Sequence, residues 1–370
     1  MLRKTALHQS HIDLGAKMGE FAGYDMPLYY DEGVIAEHEW VRNHCGLFDV
    51  SHMGQIIIEG QGVAEFLEKL TPSAFQPKAN GRAQYTVLLN EQGGIIDDLI
   101  ITRMEENKFF AVINAGCKDK DIAWIKEQLP EHLTLTYLDD RALIAVQGNW
   151  SERILHEVLG IEADDLPYMH MKEDQAPNFE KIYVSRVGYT GEDGFELSVP
   201  NDSAEEIWKT LLNHPEAKPV GLAARDSLRL EMGYALYGHE INAETSPIEA
   251  GLSWVMSKKT TGYFGYDRIS KDREQGTEHK LVGIKLIDKG VAREGAKLHD
   301  DSDNEIGWLT SGGHSPSLKQ SIGIAYIKSE LAEDGKQIFV NVRGRNIAAE
   351  ITPTPFIPAK TKSMKKKQAA

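Results

Sequence analysis

Short apolar segments alternate with polar turns along most of the chain, and this pattern predicts strands interleaved with helices. Residues 83–90, 95–104 and 109–114 are apolar segments separated by tight turns, which predicts an antiparallel meander. Residues 180–191 and 193–199 predict a second antiparallel pair. These segments give the chain most of its predicted sheet structure before residue 250.

Two other segments near the N-terminus have different patterns. Residues 17–30 are rich in glycine and aromatic residues without periodicity, and they predict a loop. Residues 47–60 alternate and predict one strand, which contains Asp49, Ser51 and His52. Neighbours on a strand point to opposite faces and a catalytic triad is defined by its spatial geometry, so we do not predict a triad here.

Helical periodicity predicts several helices between the strands. They are expected at about Gly33–His44, 62–70, Lys118–Leu129, Ser151–Leu159, Ser203–His214 and 222–236. Gly46 is expected to end the first helix as a left-handed stop. Because helices and strands mingle without strict alternation, we predict an α+β fold rather than a parallel α/β sheet.

The last part of the chain has a different pattern. Residues 258–280 are polar and are interpreted as a linker. Short strands at regular spacing then predict a small all-β barrel or sandwich; they are 280–287, 305–312, 321–327, 337–344 and 346–353. The lysine-rich tail at Lys360–Lys367 predicts either a solvated terminus or a segment that folds back onto an anionic group.

Composition narrows the class of protein. The 370 residues contain 41 Lys plus Arg against 56 Asp plus Glu, a net charge of −15, so we expect no nucleic-acid partner, because phosphate contacts need a basic face. Two cysteines cannot build a disulfide framework, and no HExxH or CxxC spacing indicates a metal site. With no signal-peptide pattern and no run of bilayer length, we expect a cytoplasmic protein without membrane contact.

Two adjacent carboxylates interrupt the most apolar strand of the predicted meander. Asp97 and Asp98 lie between isoleucines and leucines, where aspartate is rarely tolerated. Because strand side chains alternate, we expect at most one of them to face the interior and the other to find solvent or a backbone donor. One interpretation is a functional carboxylate, and the alternative is that one aspartate caps a bend while the other is solvated.

Other polar residues occupy apolar patterns in the same way, and they are Tyr85, Asn114, Tyr189, Glu196 and Arg225. Tyr85 and Asp98 lie on consecutive predicted strands, so they can face one cavity. Glu196 is either the ion-pair partner of Arg225 or Arg229, or a carboxylate that accepts two N–H donors from a flat heterocycle. The glycines in 188–194 match no phosphate-binding loop, and they favour close approach of the backbone to a ligand.

Several motifs together resemble one family. LFDVSHMG, GGIIDDLI, GYTGEDGFE, GLAARDSLRLEMGYALYG and TSGGHSPSLKQSIGIAY, in this order along the chain, resemble the T-protein (aminomethyltransferase) family of the glycine cleavage system, and the resemblance covers nearly the whole chain. The chain departs from the family pattern at QGNW, where QGP is usual, and in its lysine-rich tail.

The resemblance implies a cloverleaf of three domains around a central hole that binds tetrahydrofolate. It divides the chain into a folate-binding region at 1–260, with subdomains at 1–50 plus 140–260 and at 51–139, and a barrel at 280–360. It also implies the lipoyl-carrying H-protein as partner, whose arm presents an aminomethyl group. The reaction implied yields methylenetetrahydrofolate, ammonia and dihydrolipoyl H-protein.

The resemblance also implies roles for individual residues. Asp98 would be the key catalytic aspartate, Glu196 the pterin-binding glutamate and Arg225 the folate-site arginine. Further folate contacts would come from Tyr85, Asn114, Tyr189 and Tyr234, and Met53 would line the hole. No metal is implied.

Two alternatives share these motifs. The first is a folate module of a dimethylglycine or sarcosine oxidase, although this chain has no dinucleotide-binding fingerprint. The second is a folate-binding accessory protein of the iron-sulfur maintenance type, which is marked by a K-G-C-Y-x-G-Q-E segment. This chain has GYTGEDGFE at that place, without cysteine.

Overall fold

A computed structural model describes residues 2–175, 179, 181–258 and 261–362. Its helices are α1 (His8–Asp13), α2 (Val34–Asn43), α3 (Val63–Leu70), α4 (Lys118–Gln128), α5 (Ser151–Leu159), α6 (Asn201–Leu212), α7 (Leu222–Glu231) and α8 (Tyr266–Gln275). Its strands are β1 (Lys17–Phe21), β2 (Tyr24–Tyr29), β3 (Cys45–Asp49), β4 (Gly54–Glu59), β5 (Ala83–Leu89), β6 (Ile95–Glu105), β7 (Lys108–Ile113), β8 (Thr134–Tyr137), β9 (Arg141–Gln147), β10 (Met171–Asp174), β11 (Ile182–Ser185), β12 (Gly194–Pro200), β13 (Ala217–Pro219), β14 (His279–Leu286), β15 (Lys297–His299), β16 (Glu305–Ser315), β17 (Gln320–Lys328), β18 (Gln337–Val342) and β19 (Arg345–Thr352).

The strands form two open sheets, a hairpin and a barrel. One sheet has the order β5-β6-β7-β4-β8 and contains the predicted antiparallel meander. The other has the order β10-β11-β12-β9-β3-β13, in which β13 and β3 are parallel and the other described pairs are antiparallel. Strands β14-β17-β16-β15-β18-β19 close into a barrel. The predicted α+β fold class and the C-terminal barrel are confirmed.

Apolar side chains join these units through helix α7. Leu228 and Ala224 of α7 pack with Phe48 in a cluster that also contains residues of both open sheets. Leu230 of the same helix packs against Ile322 of the barrel. Because α7 is buried on both sides, the polar residues that it carries are held at fixed positions between the sheets and the barrel.

The prediction of a loop at 17–30 is wrong, because this segment is the β1–β2 hairpin. Phe21 pairs with Tyr24, and Ala22 and Gly23 between them have φ of 50° and 80°. Two consecutive residues of positive φ are what a tight hairpin turn requires. The pattern was missed because alanine is an uncommon residue for this conformation.

The prediction of one strand at 47–60 is also wrong. The strand ends at Asp49, and β3 and β4 belong to different sheets. At the break, Asp49 Oδ1 accepts the backbone N–H of Ser51 at 2.9 Å, while Oδ2 accepts hydrogen bonds from Thr5 and His11. A buried aspartate that caps a turn therefore replaces the continuous strand.

Gly46 does not end α2 as a left-handed stop. It lies inside β3, and a Cβ added there would meet Cγ2 of Val41 at 2.5 Å and Cγ2 of Val220 at 2.8 Å. Glycine is needed for the close packing of α2 on β3.

The interpretation of 258–280 as a linker is incomplete, because helix α8 forms within this segment and buries Ile269.

Candidate functional site

A cavity of about 1720 Å³ opens between the two sheets, α7 and the barrel. Every site residue proposed from the sequence lines it, namely Met53, Tyr85, Asp98, Asn114, Tyr189, Glu196, Arg225 and Tyr234. These residues come from separate strands, loops and helices, so only the tertiary structure brings them together. The volume exceeds the 300–1,000 Å³ usual for a small-molecule site, which leaves room for more than one ligand group.

Asp98 is held at the cavity wall by two donors. The Tyr85 hydroxyl donates to its Oδ2 at 3.0 Å, and Nδ2 of Asn114 donates to its Oδ1 at 2.8 Å. Register explains the first contact, because Tyr85 is opposite Ile100 and Asp98 is opposite Val87, which puts both side chains on one face of the β5–β6 pair. The carboxylate is thus fixed in direction while it remains open to the cavity.

Asp97 points to the other face of β6, yet it is fully buried. The expectation that only one of the two aspartates would face the interior is therefore wrong. Oδ2 of Asp97 accepts the backbone N–H of Asn114 at 3.0 Å, and Oδ1 accepts Nδ2 of Asn114 at 3.0 Å. The backbone N–H of Asn114 thus compensates Asp97 for the loss of water, and a backbone donor was one of the two partners expected for the second carboxylate.

Burial and the neighbouring charge alter the acidity of Asp98. Removal from water, and then the charge of Asp97, raise the pKa of Asp98 to about 7, while the hydrogen bonds from Tyr85 and Asn114 oppose this rise. A carboxyl group with a pKa near neutrality can hold or release a proton at physiological pH. This is the acid–base behaviour that a catalytic carboxylate needs.

Glu196 and Arg225 lie beside each other in the cavity wall as a long ion pair without a hydrogen bond. Oε1 of Glu196 is 3.9 Å from Nη2 of Arg225. Burial raises the pKa of Glu196 and lowers that of Arg225, and their mutual attraction opposes both shifts. Nη1 of Arg225 is buried without a hydrogen-bond partner among the described residues. The two groups therefore retain hydrogen-bonding capacity for a ligand.

Aromatic rings cover the walls beside this pair. Tyr189 and Tyr234 stack with their ring centroids 5.7 Å apart, and the Tyr189 hydroxyl donates to the carbonyl of Ala235. The guanidinium carbon of Arg225 lies 5.1 Å from the centroid of Tyr189. Met53 lies in the cavity wall and packs against the cluster between the two sheets. Such surfaces suit a flat ring with polar edges.

Sequence reasoning missed Trp254, which also lines the cavity. Its ring stacks on Tyr85 with centroids 5.4 Å apart and an interplanar angle of 17°. The side chain is 65% exposed, which is unusual for tryptophan outside a binding site. In the sequence, Trp254 is an aromatic residue in a segment without periodicity. That pattern does not predict that Trp254 contacts Tyr85.

The described part of the lysine-rich tail folds back onto acidic side chains. Nζ of Lys360 lies 3.1 Å from Oε1 of Glu192, and its backbone N–H donates to the carbonyl of Gly191 at 2.7 Å. Nζ of Lys362 donates to Glu152 at 2.6 Å. These contacts hold the loop that carries Tyr189. Residues 363–367 of the predicted tail lie outside the described residues.

Two kinds of feature are absent from the described part of the chain. No group of histidine, cysteine, aspartate and glutamate side chains there is arranged to hold a metal ion. None of its helices combines the length and the apolar character needed to cross a membrane.

Comparison with known proteins agrees over nearly the whole chain. Residues 7–260 match the GCVT N-terminal domain, and residues 279–357 match the glycine cleavage T-protein C-terminal barrel domain. An aminomethyltransferase of Chloroherpeton thalassium is 39% identical over 96% of this chain and 99% of its own length. A mitochondrial aminomethyltransferase of Dictyostelium discoideum is 42% identical over 98% of this chain and 94% of its own.

A solved structure gives the same result for the fold. The crystal structure of glycine cleavage system aminomethyltransferase T from Bartonella henselae has 36% sequence identity to this chain and a TM-score of 0.93. The match covers 97% of this chain and 99% of that protein.

Proposed function

We propose a tetrahydrofolate-dependent reaction for this chain, which belongs to the glycine cleavage T-protein family and is an aminomethyltransferase of that system. The proposal assigns the cavity to two reactants, tetrahydrofolate and the aminomethyl-bearing lipoyl arm of H-protein. Neither alternative, an oxidase module or an iron-sulfur maintenance factor, is favoured by relatives that match end to end.

The state of Glu196 is the observation that supports a folate site most directly. This carboxylate is buried within an apolar strand, accepts no hydrogen bond from the described residues and faces a cavity. A buried acceptor without a donor is costly unless a ligand supplies one. The N–H groups along the edge of a pterin ring are suitable donors, and Arg225 would hold the opposite charge close by.

The aromatic pairs supply the remaining recognition. We expect Tyr189 and Tyr234 to flank the pterin beside Glu196, and the Tyr85–Trp254 stack to bind the next ring of the folate. Met53 would close the apolar side of the site. These residues bind and orient, and they keep water away from the reacting groups.

Asp98 would carry the chemistry. Bound tetrahydrofolate would supply the two nitrogens that take the methylene carbon, while ammonia and the dihydrolipoyl thiol leave with the two displaced protons. The carboxylate of Asp98 would stabilise the positive charge that develops near the pterin, and it would accept a proton from the attacking nitrogen. Tyr85 and Asn114 hold it in the required direction, so much of the acceleration would come from positioning.

One assay tests the proposal. Ammonia release from aminomethyl-loaded H-protein is measured with and without tetrahydrofolate, and formation of methylenetetrahydrofolate is followed in parallel. We expect rapid release only when tetrahydrofolate is present, with one methylene product per ammonia. Release that does not depend on tetrahydrofolate, or folate binding without turnover, would contradict the proposal and favour an accessory role.

A further inference from the structure

Asp121 is a buried carboxyl group that the proposed reaction does not use. It lies on α4, is fully buried, and neither of its oxygens accepts a hydrogen bond from the described residues. An ionised carboxylate in such a place would be strongly destabilising, because nothing replaces its lost hydration. A protonated carboxyl group avoids this cost, since it is neutral and becomes a donor itself.

Asp97 is the acceptor for that proton. Asp121 is within hydrogen-bonding reach of the Asp97 carboxylate, which comes from β6 on the side away from the cavity. Burial, and then the charge of Asp97, raise the pKa of Asp121 to about 10. The backbone N–H and the side-chain amide of Asn114 also donate to Asp97. This arrangement is a carboxylic acid beside a carboxylate, both out of contact with water.

We propose that Asp97 and Asp121 share one buried proton directly behind the reaction site, and that this acid pair positions Asn114 and sets the protonation of Asp98. The part that concerns Asp98 rests on the proposed function. Nδ2 of Asn114 is the physical link, because it lies 3.0 Å from Oδ1 of Asp97 and 2.8 Å from Oδ1 of Asp98. Asp97 and Asp121 are thus positioning residues, since they act on the reaction through Asn114 and Asp98.

The other ionisable groups around the pair are consistent with a single shared proton. Cys117 contacts Asp97, and burial together with the charges of Asp97 and Asp121 raises its thiol pKa, so it remains neutral. Lys120 is the nearby cation, but its ammonium donates to the carbonyl of Ile96 and lies 3.8 Å from the ring centroid of Tyr237. On the cavity side, burial and the charges of Asp98 and Asp97 keep the Tyr85 hydroxyl protonated by raising its pKa.

The sign of the effect on Asp98 follows from the charge that the pair retains. Two carboxyl groups with one proton carry one negative charge, which repels a second charge on Asp98. Removing that negative charge should make Asp98 easier to ionise. Replacing only Asp121, the proton donor, with an amide should leave the net negative charge at this place, and therefore Asp98, nearly unchanged.

Infrared difference spectroscopy of the free protein tests the shared proton without any turnover. At pH 8.5 we expect a protonated-carboxyl band in the wild type that is missing from Asp121→Asn, because the amide cannot hold the proton. Asp119→Asn is the matched control, since its side chain is 81% exposed on the same helix. An identical band in wild type and Asp121→Asn would overturn the proposal.

A second measurement tests the link to Asp98. The protonated band of Asp98, isolated by subtracting Asp98→Asn, is followed against pH with either aspartate or asparagine at position 97. We expect its midpoint to fall by about one pH unit in Asp97→Asn, and to stay in place in Asp121→Asn and Asp119→Asn. An unmoved midpoint in Asp97→Asn would overturn the coupling. Failure of the proposed function would instead appear as absent turnover while both infrared results hold.

Discussion

Nδ2 of Asn114 donates a hydrogen bond to Oδ1 of Asp98 over 2.8 Å, where Asp98 lies within β6 and Asn114 directly follows the neighbouring strand β7. The same nitrogen lies 3.0 Å from Oδ1 of Asp97. A single amide thus organises two consecutive carboxylates, one directed to the cavity and the other to α4. The direction of Asp98 is set by hydrogen bonds rather than by apolar packing, so its charge can be changed with little effect on the fold.

Replacing Asp98 with asparagine should abolish most turnover and preserve the fold. The amide is nearly isosteric and can still accept from Tyr85, but it cannot stabilise positive charge or take a proton. We expect kcat to fall at least about 100-fold, with the thermal unfolding midpoint at or above that of the wild type. Steady-state kinetics and calorimetry measure both, and near-normal kcat would refute the role of Asp98.

Truncating Glu196 to alanine should weaken folate binding more than it lowers the stability of the protein. The carboxylate accepts no hydrogen bond from the described residues, and its ion-pair partner Arg225 is 3.9 Å away. Loss of the charged hydrogen bonds to the ligand should raise the Kd for tetrahydrofolate by about 10- to 100-fold. Calorimetric titration measures this, with Glu173→Ala on β10 as a control on the same sheet. Unchanged affinity in the Glu196 variant would exclude it from the folate site.

Trp254→Ala should raise KM for tetrahydrofolate and leave stability unchanged. Trp254 is 65% exposed, so its removal costs little packing. The ligand would, however, lose the aromatic surface that Trp254 forms with Tyr85. An aromatic contact of this kind is worth about 3- to 10-fold in affinity. Ile287, 55% exposed, provides the comparison as Ile287→Ala. If both variants show the same KM, Trp254 has no part in binding.

Glu231 should make the stability of the protein sensitive to acid. Burial alone would raise the pKa of Glu231, but hydrogen bonds from His38 and Ser315 and the charge of Arg42 lower it to about 2. A lowered carboxyl pKa contributes stability that is present above the unfolded value near 4.5 and is lost as pH falls towards 2. These contacts join α7 to α2 and to the barrel strand β16.

Glu231→Gln should therefore be less stable than the wild type by about 3 kcal/mol at pH 7. The difference should shrink steadily as the pH is lowered from 5 to 2.5. Urea unfolding at a series of pH values measures it, and the exposed Glu330→Gln should follow the wild-type curve throughout. A difference that is independent of pH would contradict the prediction, because it would show that ionisation of Glu231 does not determine the stability of these contacts.

The candidate site was accessible to sequence reasoning where a polar residue broke an apolar pattern. Asp98 and Glu196 stand out for this reason, and the structure places both on one cavity. Trp254 gave no such signal, because an aromatic residue in an irregular segment fits many environments. Asp97 was misjudged because strand alternation indicates opposite faces but does not say that both faces are covered.

The sequence by itself determined the order and type of most elements, the C-terminal barrel and the family, because periodicity and motifs are local properties of a chain. Tertiary structure alone decided that β3 and β4 separate into different sheets, that Asp97 is buried against α4, and that Trp254 reaches Tyr85. The physical reason is that a local pattern shows which side of an element is apolar. It does not show which distant element covers that side, and the chemistry of the cavity depends on those distant contacts.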